Sequence, residues 1–144
     1  MKFKFSFQKV LDFKEKEKEL AEHEFGQIKS RANELQEQIE GLEQVQVKAY
    51  DQYNDVDRKT VWEMLEFQQG IEYLNHKMKR LEHQSKQVHL EVEQKQQVFI
   101  EKNQEAKAWN RWKSKSLLAF QLQMQQKEQA ALDEMAVIRY SSKM

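Results

Sequence analysis

The chain carries one apolar stripe that steps alternately three and four residues, and few folds can accept such a stripe over so long a run. It runs Leu11, Lys14, Lys18, Ala21, Phe25, Ile28, Ala32, Leu35, Ile39, Leu42, Gln46, Ala49, Tyr53, Val56, with only Lys14, Lys18 and Gln46 polar. Alternating steps of three and four average 3.5 residues, the repeat that keeps one face of a helix turned toward a partner helix. A first helix over about residues 7–54 follows from it.

The stripe is interrupted once. In "NDVDRKTVWEML", Asn54, Asp55 and Asp57 favour turns, and Thr60 with Glu63 three residues later forms the capping-box pattern that opens a helix. The stripe then resumes as Met64, Phe67, Ile71, Leu74, Met78, Leu81, Ser85, Val88, Val92, Lys95, Phe99, Lys102, Ala106 and Trp109. Farther on it slips through Lys113, Leu117, Phe120, Met124, Glu128, Ala131, Met135 and Ile138, with extra four-residue steps that act as stutters. A second helix is expected over about residues 61–140, on the order of 120 Å against about 70 Å for the first. With Pro absent and only three Gly, little else could stop either helix.

Two striped helices joined by a short turn give an all-α fold, an antiparallel two-helix coiled-coil hairpin, with residues 1–144 as a single domain. Counting back from the turn sets residue k of the first helix near residue 114 − k of the second, to within about a turn. Phe3, Phe5 and Phe7, which alternate with Lys and Ser in "KFKFSF", then face Trp109 and Trp112. Ser6 is the expected N-cap, with Phe5 before it and Val10 inside the helix forming a hydrophobic staple. Because the second helix is the longer, its apolar end, with Leu117, Phe120 and Met124, is expected to form an exposed interaction surface if it has no partner within the chain.

Charge and composition exclude several classes of function. The 24 basic and 24 acidic residues cancel, which removes the general phosphate attraction behind most nucleic-acid binding. No run of about 18 apolar residues could span a bilayer, and the opening is too short and interrupted for a signal peptide, so a cytoplasmic location is expected. His76 and His83 share a face but lie roughly 10 Å apart along the helix, too far for one zinc ion, and His23 and His89 add no ligand set. Carboxylates occur in mixed-charge runs such as "KEKEKELAEHE", as on solvated helix faces. No catalytic residue, metal or cofactor is expected, and an enzyme least of all, since a two-helix hairpin has almost no concave, dry pocket.

Aromatic residues carry what remains. Trp109 and Trp112 share a face beside Arg111 and Lys113, so they either close the hairpin against the Phe cluster or anchor another protein. Tyr50 and Tyr73 lie off the stripe and are candidates for a second contact surface. From the residues alone, a scaffold of several copies and a chaperone for client helices both remain open beside a monomeric hairpin.

The opening "FKFSFQKVLDFKEKEKELAE", the mid-chain "WEMLEFQQGIEYLNHKM" and the closing "KEQAALDEMAVIRY" resemble the FliJ family, small soluble components of the bacterial flagellar type III export apparatus. The resemblance covers nearly the whole chain. It implies a hairpin similar to the stalk helices of rotary ATPases, whose paired ends insert into the hexameric export ATPase and promote its assembly. It also implies contact with the export gate through its large subunit FlhA, escort of export chaperones, and peripheral association with the inner-membrane apparatus. Phe3, Phe5, Phe7, Trp109, Trp112, Leu117, Phe120 and Met124 become the expected ring contacts, and Gln38, Leu42 and Leu74 the expected gate contacts. This chain has Val45, Ala49 and Gly70 where the family often has aromatic side chains, with Tyr50, Tyr53 and Phe67 close by. Gly70 marks a point where a local bend is possible. The equivalent stalk of a virulence-type secretion system is the alternative within the same mechanism.

Overall fold

The structure, a computed structural model, describes residues 2–142. Helix α1 spans Gln8–Asn54 and helix α2 spans Val61–Ser142, with no strand among the described residues. The two pack against each other as an all-α helical hairpin. By their contacts the residues separate into two compact units. The turn unit is Leu20–Phe99, and the terminal unit joins the residues up to 19 with those from 100 onward.

Every helical stripe position of α1 from Leu11 to Tyr53 is buried or half-buried, including the polar Lys14, Lys18 and Gln46. The same holds in α2 from Phe67 to Lys113. At the turn end two members fail, Val56 in the connection and Met64 in the first turn of α2, both exposed, and at the far end Leu117, Glu128, Ala131, Met135 and Ile138 are exposed too. In the turn unit the deepest residues are Leu35, fully buried, with Ala21, Ala32, Ile39, Ile71 and Ser85. The small side chains at Ala21, Ala32 and Ser85 bring little apolar area to this seam. No buried side-chain nitrogen or oxygen among the described residues lacks a hydrogen-bond partner.

The connection is built as its residues suggest. The Asp55 amide closes the last turn of α1 onto the Asp51 carbonyl at 3.0 Å. Thr60 caps α2: its carbonyl accepts the Met64 amide, and its hydroxyl oxygen accepts the Glu63 amide at 3.1 Å. The hydroxyl half of the capping box is thus formed. Tyr53 stacks on Phe67 at 3.9 Å, Tyr50 meets the same ring edge-on at 5.2 Å, and the Lys59 ammonium lies 3.8 Å from the Tyr53 ring. Four side chains thereby tie the connection to both helices.

Three sequence expectations need correction. The helix does not begin on Ser6: the first helical bond runs from the Leu11 amide to the Phe7 carbonyl, while Gln8 closes a turn on Phe5. Phe7 therefore occupies the cap position, and Phe5 packs on Phe7 and Trp112 instead of serving as a staple to Val10.

The pairing is also displaced. Paired numbers such as Tyr53 with Phe67, Glu24 with Lys95, and Glu17 with Lys102 total about 120 within each unit, not 114. Helical side chains lean toward their own N-terminus, so in an antiparallel pair each meets a partner about one residue farther on. The rest of the displacement is one turn of α2, where Val61, Trp62, Met64 and Leu65 extend unpartnered beyond the pairing. Finally, the stripe holds its three-four rhythm through Ser116, half-buried, where a slip to Leu117 was expected, and Leu117 is exposed.

Gly70 sits within continuous α2 without a positive φ. A methyl group there would meet nothing within 4 Å.

Candidate functional site

The terminal unit gathers most of the chain's distinctive chemistry. Before α1 begins, the extended stretch 2–5 lays alternate Phe side chains against α2. Phe3 meets Phe120 at 5.4 Å, Phe5 meets Trp112 at 6.0 Å, and Phe7 meets Trp112 at 4.9 Å and Trp109 at 5.9 Å. The two Trp rings lie 5.1 Å apart, as their three-residue spacing on a helix requires. Tilted and edge-on pairs at such distances contribute about 0.5–1.5 kcal/mol each beyond their burial.

Four of the eight proposed ring-contact residues, Phe5, Phe7, Trp109 and Trp112, thus form one cluster, and Phe3 with Phe120 forms a pair beside it. They are not equally covered, and the difference matters. Phe5 is only 9% exposed, whereas Phe7 at 42% and Trp112 at 45% keep nearly half their surface free. Beside them lies a small hollow of about 110 Å³ bordered by Phe3, Lys4, Ser6 and Ser116. Leu117 lies between Trp112 and Phe120 and is exposed, and Met124, one turn beyond Phe120, is half-buried. From 125 to 142 every described residue is exposed, among them Leu132, Met135, Val137, Ile138 and Tyr140.

One polar layer interrupts the apolar stripe of this unit. Lys102 binds Glu17 at 2.7 Å, Lys14 binds Glu105 at 3.1 Å, and the remaining Lys–Glu separations in the square are 3.8 and 3.9 Å. The hydrogen bond from Lys102 holds the Glu17 carboxyl below its usual range, against a smaller opposing effect of desolvation. In return the bond to Glu17 raises Lys102 above the usual lysine value. Lysines at stripe positions are tolerated because their stems pack along the stripe while their ammonium groups reach carboxylates at its edge.

Outside this layer the structure reveals a feature that the sequence reading passed over. Lys107, Arg111 and Lys115, with Asn110 and Ser114, border a shallow groove of about 460 Å³ on α2. Arg111 was considered only as a neighbour of the tryptophans. The signal was the absence of any Asp or Glu between Glu105 and Glu128.

In the turn unit the proposed gate residues are only partly brought together. Gln38 and Leu42 border an open groove of about 540 Å³ with Gly41, Val45, Lys77 and Leu81. Leu74 is half-buried on the stripe and lies outside that lining. Of the two off-stripe tyrosines, Tyr50 is engaged by Phe67, while Tyr73 remains 66% exposed. His76, His83, His23 and His89 are all exposed, and His83 is within hydrogen-bond reach of Gln87. Among the described residues no group of three or more His, Cys, Asp or Glu side chains could hold a metal ion.

A family model described as Flagellar FliJ protein matches residues 3–144. The chain belongs to the FliJ family. Neither a curated protein nor a solved structure matches it at a significant level. As a FliJ-family member it is a component of the flagellar export apparatus. No helix among the described residues of this FliJ-family chain is long and apolar enough to cross a membrane. The family match spans both units, so the aromatic cluster, the polar layer and the turn-unit groove all lie on the matched segment.

Proposed function

We propose that this FliJ-family chain works without catalysis, as a stalk between the hexameric export ATPase and the membrane export gate. Its terminal unit enters the ATPase ring and promotes ring assembly, with Phe3, Phe7, Trp112, Leu117, Phe120 and Met124 as contacts and Phe5 and Trp109 supporting them. The groove bordered by Gln38 and Leu42 meets FlhA, with Leu74 as a further contact on α2. Export chaperones are further partners, and the protein associates peripherally with the inner-membrane apparatus from the cytoplasm. No cofactor takes part.

The observation that carries this reading is the coincidence, in one unit, of a half-exposed aromatic cluster with an uncovered apolar helix. Aromatic anchors surrounded by apolar surface are what dominate protein–protein binding energy. The test is ATP hydrolysis by the export ATPase at limiting enzyme concentration, with and without this protein. Stimulation is expected from the intact chain, and is expected to be lost on deleting the residues before Leu11 or on Phe7→Ala with Trp112→Ala. Equal stimulation by all three forms, or none from the intact chain with an active ATPase, would sink the ring reading.

A second reading draws on the exposed run from 125 to 142: a scaffold in which copies of the chain pair through that helix. Light scattering decides it. A mass of one chain at micromolar concentration removes the scaffold.

A further inference from the structure

Among the described residues only three cations of the terminal unit enter its ion pairs, and three of the remainder share one face. Lys14, Lys18 and Lys102 close on carboxylates of the same unit. Lys107, Arg111 and Lys115 enter none of the ion pairs among the described residues. These three are spaced four apart, so they rise on successive turns of one face of α2, within about 12 Å along its axis. All three are exposed, whereas Ala106, Trp109 and Lys113 on the opposite face are buried or half-buried.

The same outward face continues to Leu118 and Leu122, 60% and 58% exposed. With no Asp or Glu between Glu105 and Glu128, nothing on this stretch of helix neutralises the charge. Glu15 of α1 reaches the edge of the groove, accepting a hydrogen bond from Asn110 at 2.6 Å, while α2 itself presents three cations and no carboxylate on this face.

We infer that the face formed by Lys107, Arg111, Lys115, Leu118 and Leu122 docks on a protein surface of the export ATPase that carries carboxylates beside an apolar pocket. The inference rests on the ring reading above and specifies the chemistry of the surface met. Complementary charge speeds the encounter and fixes orientation, and the leucines add buried area once the surfaces touch. A phosphate backbone would use the cations and leave the leucines in water. An anionic bilayer favours a helix with cations flanking a broad apolar face. Here cations and leucines follow one another along the axis, and the opposite side is occupied by Phe5, Phe7 and Trp109.

The experiment measures binding of the full-length chain to purified export ATPase at low and at high salt. The comparison protein is Lys107→Glu/Arg111→Glu/Lys115→Glu, with helicity verified by circular dichroism. The wild-type chain is expected to bind and to weaken steeply with salt, and the triple variant to lose about tenfold or more, mainly in association rate. Lys107→Arg/Lys115→Arg is expected to bind as wild type. Leu118→Ala/Leu122→Ala is expected to dissociate faster with its salt dependence intact. Wild-type binding that the triple variant retains would overturn the basic face and leave the ring reading standing. No wild-type binding at all would overturn both. Phosphatidylglycerol vesicles and duplex DNA serve as parallel probes. Charge-dependent binding to either, with ATPase binding unchanged in the triple variant, would assign the face to that other ligand and overturn the proposal.

Discussion

The turn unit and the terminal unit use the same two helices and hold them together by different means. Between Leu20 and Phe99 the contact is a stripe centred on Leu35 and Ile39, with the Phe25–Phe99 stack, the Glu24–Lys95 pair and the Tyr53–Phe67 stack spaced along it. The terminal unit has Leu11 and Ala106 as its buried stripe residues, a square of Lys and Glu beside them, and an aromatic cluster beyond. A stripe alone suffices to pair helices. Both units add aromatic and ionic contacts to it, but the terminal unit gathers its rings and four charges side by side, and its half-exposed Phe7 and Trp112 are where a partner has most to gain.

If that division is right, substitutions in the two units must act differently. The largest effect is expected from Leu35→Ala, about 2–4 kcal/mol of global stability in urea unfolding, because a fully buried side chain is exchanged for a cavity. Phe5→Ala removes a comparably covered side chain but acts locally. Its amide-exchange protection should fall around residues 100–119 with little change around 30–90. Equal loss of protection in both segments would erase the distinction between the units.

Thr60→Ala removes the hydroxyl that accepts the Glu63 amide, and about 1 kcal/mol of stability should go with it. Gly70→Ala works in the opposite sense. Nothing stands where the new methyl group would go, so thermal unfolding should show a gain of about 0.5–1 kcal/mol.

The smallest effect concerns pH. The Glu17 contribution is complete above the ordinary carboxylate pKa and is lost as pH falls through its depressed value. That of Lys102 is complete below the ordinary lysine pKa and is lost as pH rises through its raised value. Exchange protection of the terminal unit should thus stay level across the neutral range and decline only toward the extremes. Lys102→Met should move the Glu17 titration, followed by NMR, back toward the ordinary range. A Glu17 titration unchanged by that substitution would remove the ion pair from the description of this unit.

Much of this was legible in the residues because a 3.5-residue rhythm admits few interpretations. The stripe could be read position by position, even through Lys14, Lys18 and Gln46, since geometry and not polarity decides which side chains face a partner. Thr60 was legible for a related reason, as capping chemistry is local. Ser6 misled because a Phe5–Gln8 turn intervenes before the first helical bond, and the rings of Phe5 and Phe7 have better partners in Trp112 and Trp109. The pairing offset depended on side-chain lean and on an unpartnered first turn of α2, neither of which spacing encodes. The basic face went unnoticed since each cation looks ordinary alone, and only their shared exposed face, one turn apart on α2, sets these three apart.

The square of Lys14, Glu17, Lys102 and Glu105 has a consequence for helix sliding. An apolar stripe repeats every seven residues, so a pair of helices displaced by one heptad still buries apolar surface. Such a slip would carry Lys14 to the level of Trp112 or of Val98, and would strand Glu17 and Lys102 without each other. Half-covered charges that lose their partners forfeit that attraction, and a slip that carries them against Trp112 or Val98 asks them to shed water with nothing in return. The layer therefore acts as a detent: it adds little to the depth of the correct alignment and raises the neighbouring ones, so that a push along one helix meets a preferred stopping position.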